Sequence, residues 1–87
     1  MQIGKVTGTV TATAKAERLI GQKLLIVDVV DASGNVLLPS QVAPDTCGAG
    51  VGDSVLLTQG SAARMAGGLS SAPVDLTIVA IVDRISI

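Results

Sequence analysis

Histidine, phenylalanine, tyrosine and tryptophan are all absent from this sequence of 87 residues, and cysteine occurs once. Each absence removes a kind of chemistry. Without histidine the commonest metal ligand and the usual general base near neutrality are both missing. A single cysteine, Cys47, makes neither an internal disulfide nor a thiolate zinc site. Without aromatic rings there is no stacking platform for single-stranded nucleic acid, and no Trp or Tyr anchor for a binding surface. Charge is scarce as well: six Lys and Arg stand against seven Asp and Glu, giving a net charge of −1. No basic surplus exists to hold phosphates or an anionic membrane. The sequence therefore implies no nucleic-acid partner, no membrane partner, no metal and no cofactor.

What is present is oily. Hydrophobic residues make up 48% of the chain, ten glycines add to them, and charged residues reach only 15%, against about 25% in ordinary globular proteins. A chain of this length buries only about 60% of the surface that its unfolded form exposes. Having proportionally more surface than a larger protein, it should carry more charge, and it carries less. Part of that surface is expected to be covered by other subunits, which predicts a homo-oligomer. The length predicts one domain, 1–87. A lone thiol fits a reducing cytosol. The opening MQIGKVTGTV lacks the unbroken apolar stretch of a signal peptide, and LTIVAIV at 76–82 is far short of a membrane span, so a cytoplasmic protein is expected.

The hydrophobic period is two. Val6, Gly8, Val10, Ala12 and Ala14 alternate with Thr7, Thr9, Thr11, Thr13 and Lys15, which predicts a first strand over about 3–14 with one covered face. After a charged connection at 15–22, KLLIVDVVD predicts a second strand at 23–31. ASGN at 32–35 reads as a turn, and a third, shorter strand is expected at Val36 to Leu38. Pro39 and Pro44 then bracket a segment expected to be irregular, since proline donates nothing to a ladder. SVLLTQ at 54–59 predicts a fourth strand, and a fifth is expected from Leu76 to Ile85. GSAARMAG at 60–67, with Ser61 placed to cap it, is the helix candidate. The fold class is thus all-β: a small five-stranded, partly open barrel of the OB-like kind with one short helix.

Three glycines within GAGVGD, at 48–53, raise the question of a phosphate-binding loop. A dinucleotide fingerprint places its glycines between a strand and a helix, and a Walker loop ends in Gly-Lys-Ser or Gly-Lys-Thr. Here the glycines are Gly48, Gly50 and Gly52, position 53 is Asp, and a strand follows. A tight turn where backbones approach closely is the expectation. Cys47 lacks a histidine partner and reads as a small packed side chain. The carboxylates Asp28, Asp31, Asp45, Asp53, Asp75 and Asp83 scatter over turns and strand ends, as solvated or salt-bridged acids do. No catalytic constellation emerges. Arg64, ordinarily a solvated charge, is also suited to bridging Asp75 or Asp53 of a neighbouring subunit.

VTGTVTATAK at 6–15, GQKLLIVDVVD at 21–31, GAGVGDSVLLTQGSAAR at 48–64 and PVDLTIVAIVD at 73–83 together resemble the bacterial microcompartment vertex family of the CcmL/EutN type. The resemblance runs along nearly the whole chain in order. It implies a structural shell protein, not an enzyme: an OB-like subunit of a pentamer that closes the fivefold vertices of a carboxysome or metabolosome shell and meets hexameric shell proteins at its rim. It places Gly48, Ala49, Gly50, Val51, Gly52 and Asp53 near subunit contacts or the central opening. Ser61, Ala63 and Arg64 match its helix start, and Pro73, Val74 and Asp75 its approach to the last strand; of these, Ser61, Ala63, Arg64 and Asp75 are expected at the interface too. The chain departs from the family pattern at Pro44, where an apolar residue is common, at Cys47, often aliphatic, and at Asp53, often glutamate. The alternative is a free-standing OB-like module that binds a peptide by edge pairing or single-stranded nucleic acid.

Overall fold

The computed structural model describes residues 1–11, 23–60 and 75–86. Within them lie five strands: β1 (Gln2–Val10), β2 (Leu24–Val30), β3 (Val36–Pro44), β4 (Ser54–Gln59) and β5 (Leu76–Val82). They form one sheet in the order β3-β2-β1-β4-β5, every neighbouring pair antiparallel. The chain is all-β, as its period-two pattern predicts.

Alternation sorts the faces. Leu25, Val27 and Val29 of β2 point inward with Val6 of β1, Val55 and Leu57 of β4, and Leu76 and Ile78 of β5. Lys5, Thr7 and Thr9 stand on the exposed face of β1. Gly4 lies opposite Val29 and Val55. A Cβ there would sit 2.8 Å from Leu57 Cδ1 and 3.3 Å from Val55 Cγ2, so any side chain at position 4 forces the buried Leu57 side chain to move.

The sheet bends without closing. The β1–β2 register shifts between Val6 and Gly8, and the β4–β5 register between Leu56 and Leu57. Such bulges sharpen twist and bring distant edges together. The outer strands then meet at an isolated parallel bridge between Asp45 and Ile78. Thr46 adds to it, its amide donating to the Ile78 carbonyl at 3.3 Å and its hydroxyl to the same oxygen at 2.7 Å. The OB-like barrel is therefore an open one, its seam between β3 and β5 held at this point.

Several boundaries differ from the sequence expectation. β5 stops at Val82, short of Ile85, and β1 ends at Val10, while residues 12–14 of the expected first strand lie outside the described residues. The larger correction concerns β3, which continues through Pro39 and reaches Pro44 opposite Leu24. Proline is tolerated because β3 is an edge strand, whose outward groups need no ladder partner. The expected irregularity shrinks to register shifts around Val29 and to Ser40, which takes a positive φ of 54°. The connection at 15–22 and the expected helix beyond Gly60 lie outside the described residues.

The β2–β3 hairpin is organised by Asp31. Its Oδ1 accepts from the Ser33 and Asn35 amides, both at 2.9 Å, and its Oδ2 accepts from Asn35 Nδ2 at 3.1 Å. Gly34, at φ 90°, closes the loop in the left-handed conformation, as three-residue hairpin connections commonly do.

Candidate functional site: the glycine loop and the β3 edge

The segment from Asp45 to Asp53 carries chain from the open seam to β4 and is tied down along its length. The Gly52 amide donates to the Val6 carbonyl and the Val6 amide to the Asp53 carbonyl, both at 2.9 Å. The loop thereby prolongs the pairing along β1. Lys23, just before β2, donates from Nζ to the Ala49 carbonyl at 2.8 Å and lies 3.9 Å from Asp45 Oδ2. The Asp45 side chain is 1% exposed and that of Lys23 54%. With one partner so open to water, the ion pair contributes at most about 1 kcal/mol, and the lysine acts chiefly by fixing the loop carbonyl.

Two loop amides end on carboxylates. Gly50 N–H donates to Asp53 Oδ2 at 2.8 Å, and Cys47 N–H to Asp45 Oδ1 at 3.0 Å. A phosphate cradle needs amides that are free and a field that welcomes negative charge. Here the Cys47 and Gly50 amides already serve the chain's own anions and the Gly52 and Asp53 amides serve its carbonyls, so the loop reads as a structural turn. Gly48 and Gly52 have φ of 78° and 95°, the left-handed region that glycine enters without penalty. Gly50 does not, and the nearest atom to a Cβ built there is Asp53 Oδ2 at 4.0 Å. Among the described residues nothing demands a glycine at position 50.

Cys47 is exposed, and its Sγ lies 3.4 Å from Asp45 Oδ1, to which the thiol donates. Partial burial pushes the thiol pKa up, and the Asp45 carboxylate adds to the rise. Both keep the sulfur protonated, which opposes nucleophilic use. Among the described residues no group of three or more Cys, Asp or Glu is arranged to hold a metal ion.

The expected interface residues separate into two places. Gly48 through Asp53 share the loop, where Val51 is exposed and Ala49 is buried in the core of its own chain. Asp75 lies elsewhere: its carbonyl accepts from the Gly60 amide at 2.9 Å, next to the Gln59–Leu76 pair that ends the β4–β5 ladder. That is the far end of β4 from Asp53, about 20 Å along the strand. Ser61, Ala63 and Arg64 lie outside the described residues. Sequence reasoning missed Lys23 and Thr46, which pin the loop, and the exposed apolar residues Val36, Leu37, Leu38 and Val42 of β3. The run VLL was visible as a strand, but only the topology puts it at an edge.

Residues 1–83 match the family described as ethanolamine utilisation protein EutN/carboxysome. The chain belongs to the EutN/CcmL family. It is 48% identical to the carboxysome shell vertex protein CcmL of Nostoc sp., over 100% of this chain and 87% of that one. It is 42% identical to the microcompartment shell vertex protein EutN of Salmonella typhimurium, over 98% and 86%. Among solved structures, the GrpN pentameric microcompartment shell protein from Rhodospirillum rubrum superposes with a TM-score of 0.88 at 40% identity, over 100% of this chain and 99% of that one. Two of these relatives of the EutN/CcmL family are named as shell vertex proteins and the third as a pentameric shell protein. None of the three is named as a peptide- or nucleic-acid-binding module.

Proposed function

We propose that this protein is a single-domain pentameric vertex subunit of a bacterial microcompartment shell. Its work is geometric: five copies close a fivefold corner, and the rim of the ring meets hexameric shell proteins. It catalyses nothing, works in the cytoplasm, and has neither nucleic acid nor membrane as a partner.

The observation that carries this is full-length similarity to vertex proteins and to a pentameric shell protein. A ring of identical subunits needs a head-to-tail interface whose rotation closes, so each copy hides two different patches. The scarcity of charge is what such double covering produces. Gly50 supports a place for the loop at subunit contacts or the central opening, because the described residues of its own chain leave room for a side chain there. Asp75, with Ser61, Ala63 and Arg64, is proposed for the same subunit contacts.

Native mass spectrometry of the purified protein tests the proposal. Five copies are expected, and a stable monomer at micromolar concentration overturns it.

A further inference from the structure

By its side chains β3 is an unprotected edge. Val36, Leu37, Leu38 and Val42 are 52%, 59%, 48% and 51% exposed, and between Asp31 and Asp45 the chain carries no charged side chain. Among the described residues nothing pairs with the outer side of β3 until Asp45 bridges to Ile78. Edge strands in water are ordinarily protected by charges, lysine above all, because a flat row of open N–H and C=O groups recruits strands of other chains. An uncharged run of about six or seven residues of high β-propensity is enough to found a stacked-strand aggregate, and Val36–Val42 has that length.

The backbone supplies what the side chains lack. Val27 pairs with Gln41 and Val29 with Leu38, so the single residue Asp28 lies opposite two, Pro39 and Ser40, and β3 bulges there. Pro39 has no N–H, and its carbonyl accepts from Gln41 Nε2 at 3.0 Å. The Ser40 amide is turned back to Asp28 Oδ1 at 2.9 Å, in a residue whose φ of 54° departs from extended backbone. A second irregularity lies at Leu37, which falls between the Val29–Leu38 and Val30–Val36 pairs with no residue opposite. The centre of the edge therefore offers no N–H to an incoming strand. The pieces on either side, Val36–Leu38 and Gln41–Val42, are each shorter than an ordinary strand of about five residues.

We infer that Asp28, Pro39 and Ser40 form a guard built into the fold, which keeps this apolar edge from adding strands of other chains. Asp28 is its positioning residue: a carboxylate oxygen is the acceptor that holds the Ser40 amide away from the edge. The bond matters and the charge does not, so an amide oxygen at the same place serves as well. The guard belongs to the single chain and works whether or not five copies assemble. It also opposes capture of a peptide by edge pairing.

The test compares wild type with Asp28→Ala, Asp28→Asn and Pro39→Thr as full chains at equal concentration. Thioflavin T fluorescence follows fibril growth, and circular dichroism establishes that each variant starts folded. Asp28→Ala frees the Ser40 amide, and Pro39→Thr adds an N–H one residue earlier; both are expected to shorten the lag several-fold, or to bring fibrils where wild type forms none. Asp28→Asn keeps the acceptor and is expected to behave as wild type. Aggregation of Asp28→Asn as fast as that of Asp28→Ala overturns the guard in favour of charge repulsion. Wild-type behaviour of both Asp28→Ala and Pro39→Thr overturns it outright. Should Asp28→Ala fail to fold, Pro39→Thr decides, and an unchanged lag there overturns the proposal.

Discussion

β2 and β3 pair with each other and are built from similar residues, LLIVDVV and VLLPSQVAP, yet their burial differs throughout. In β2 every second residue is fully enclosed; in β3 only Ala43 and Pro44 are. The difference is one of position. β2 has a strand on either side and its inner face turned to the core, whereas β3 has β2 alone and continues into the seam. Apolar content makes both of them strands, but it does not say whether their side chains are covered by the same chain or by another. An edge strand as oily as a central one needs a partner's cover or a guard of its own.

The contrast is open to direct attack. The largest effect is expected from Leu25→Ala in β2, because Leu25 is fully buried: a loss of about 2–5 kcal/mol of folding stability, from lost transfer energy and the cavity left behind. Leu37→Ala in β3, measured by denaturant unfolding at a dilution where single chains prevail, is expected to stay within about 0.5 kcal/mol. Equal losses at the two sites would erase the distinction between the strands.

The loop after β3 repeats the contrast on a smaller scale. Gly52→Ala forces a Cβ into a φ of 95° and is expected to cost about 1–2 kcal/mol of single-chain stability. At Gly50 the backbone makes no such demand, so Gly50→Ala is expected to leave that stability nearly unchanged, while Gly50→Trp blocks assembly. Intact rings from Gly50→Trp would show that the loop is not crowded by neighbours.

The smallest effect lies in the hairpin that carries β3. The Asn35 amide above all, with its side chain and the Ser33 amide, holds the exposed Asp31 carboxyl below the ordinary carboxylate range. A carboxylate depressed in the folded state contributes stability that is present above its unfolded pKa and lost as pH falls through the folded value. Thermal unfolding of the wild type should therefore lose a small increment in the acid range that Asp31→Asn lacks. Identical pH profiles would mean that the turn does not depend on the charge.

Some of this was legible in the chain itself. Alternation from Val6, LLIVDVV and SVLLTQ specified strands, because a side-chain period of two leaves little else. The missing histidine and aromatic residues argued against catalytic and stacking roles, and the glycine loop was readable as a turn because no lysine or helix followed it. Pro39 and Pro44 misled, since proline breaks a strand only where a neighbour needs its N–H, and sequence does not reveal which strands lie at an edge. Lys23 carried no signal either: it meets Ala49 only because β2 and the loop converge in space.

The sequence by itself determined an all-β chain, oily and poor in charge, whose local pattern admits few other conformations. Only the tertiary structure decided that β3 lies at the edge with Leu37 in water, that Asp45 and Asp53 spend their oxygens on the glycine loop, and that Asp53 and Asp75 sit at opposite ends of β4. Periodicity is a property of neighbours along the chain, whereas edge, cover and convergence depend on which strands pair, and pairing is settled by contacts between residues far apart in sequence.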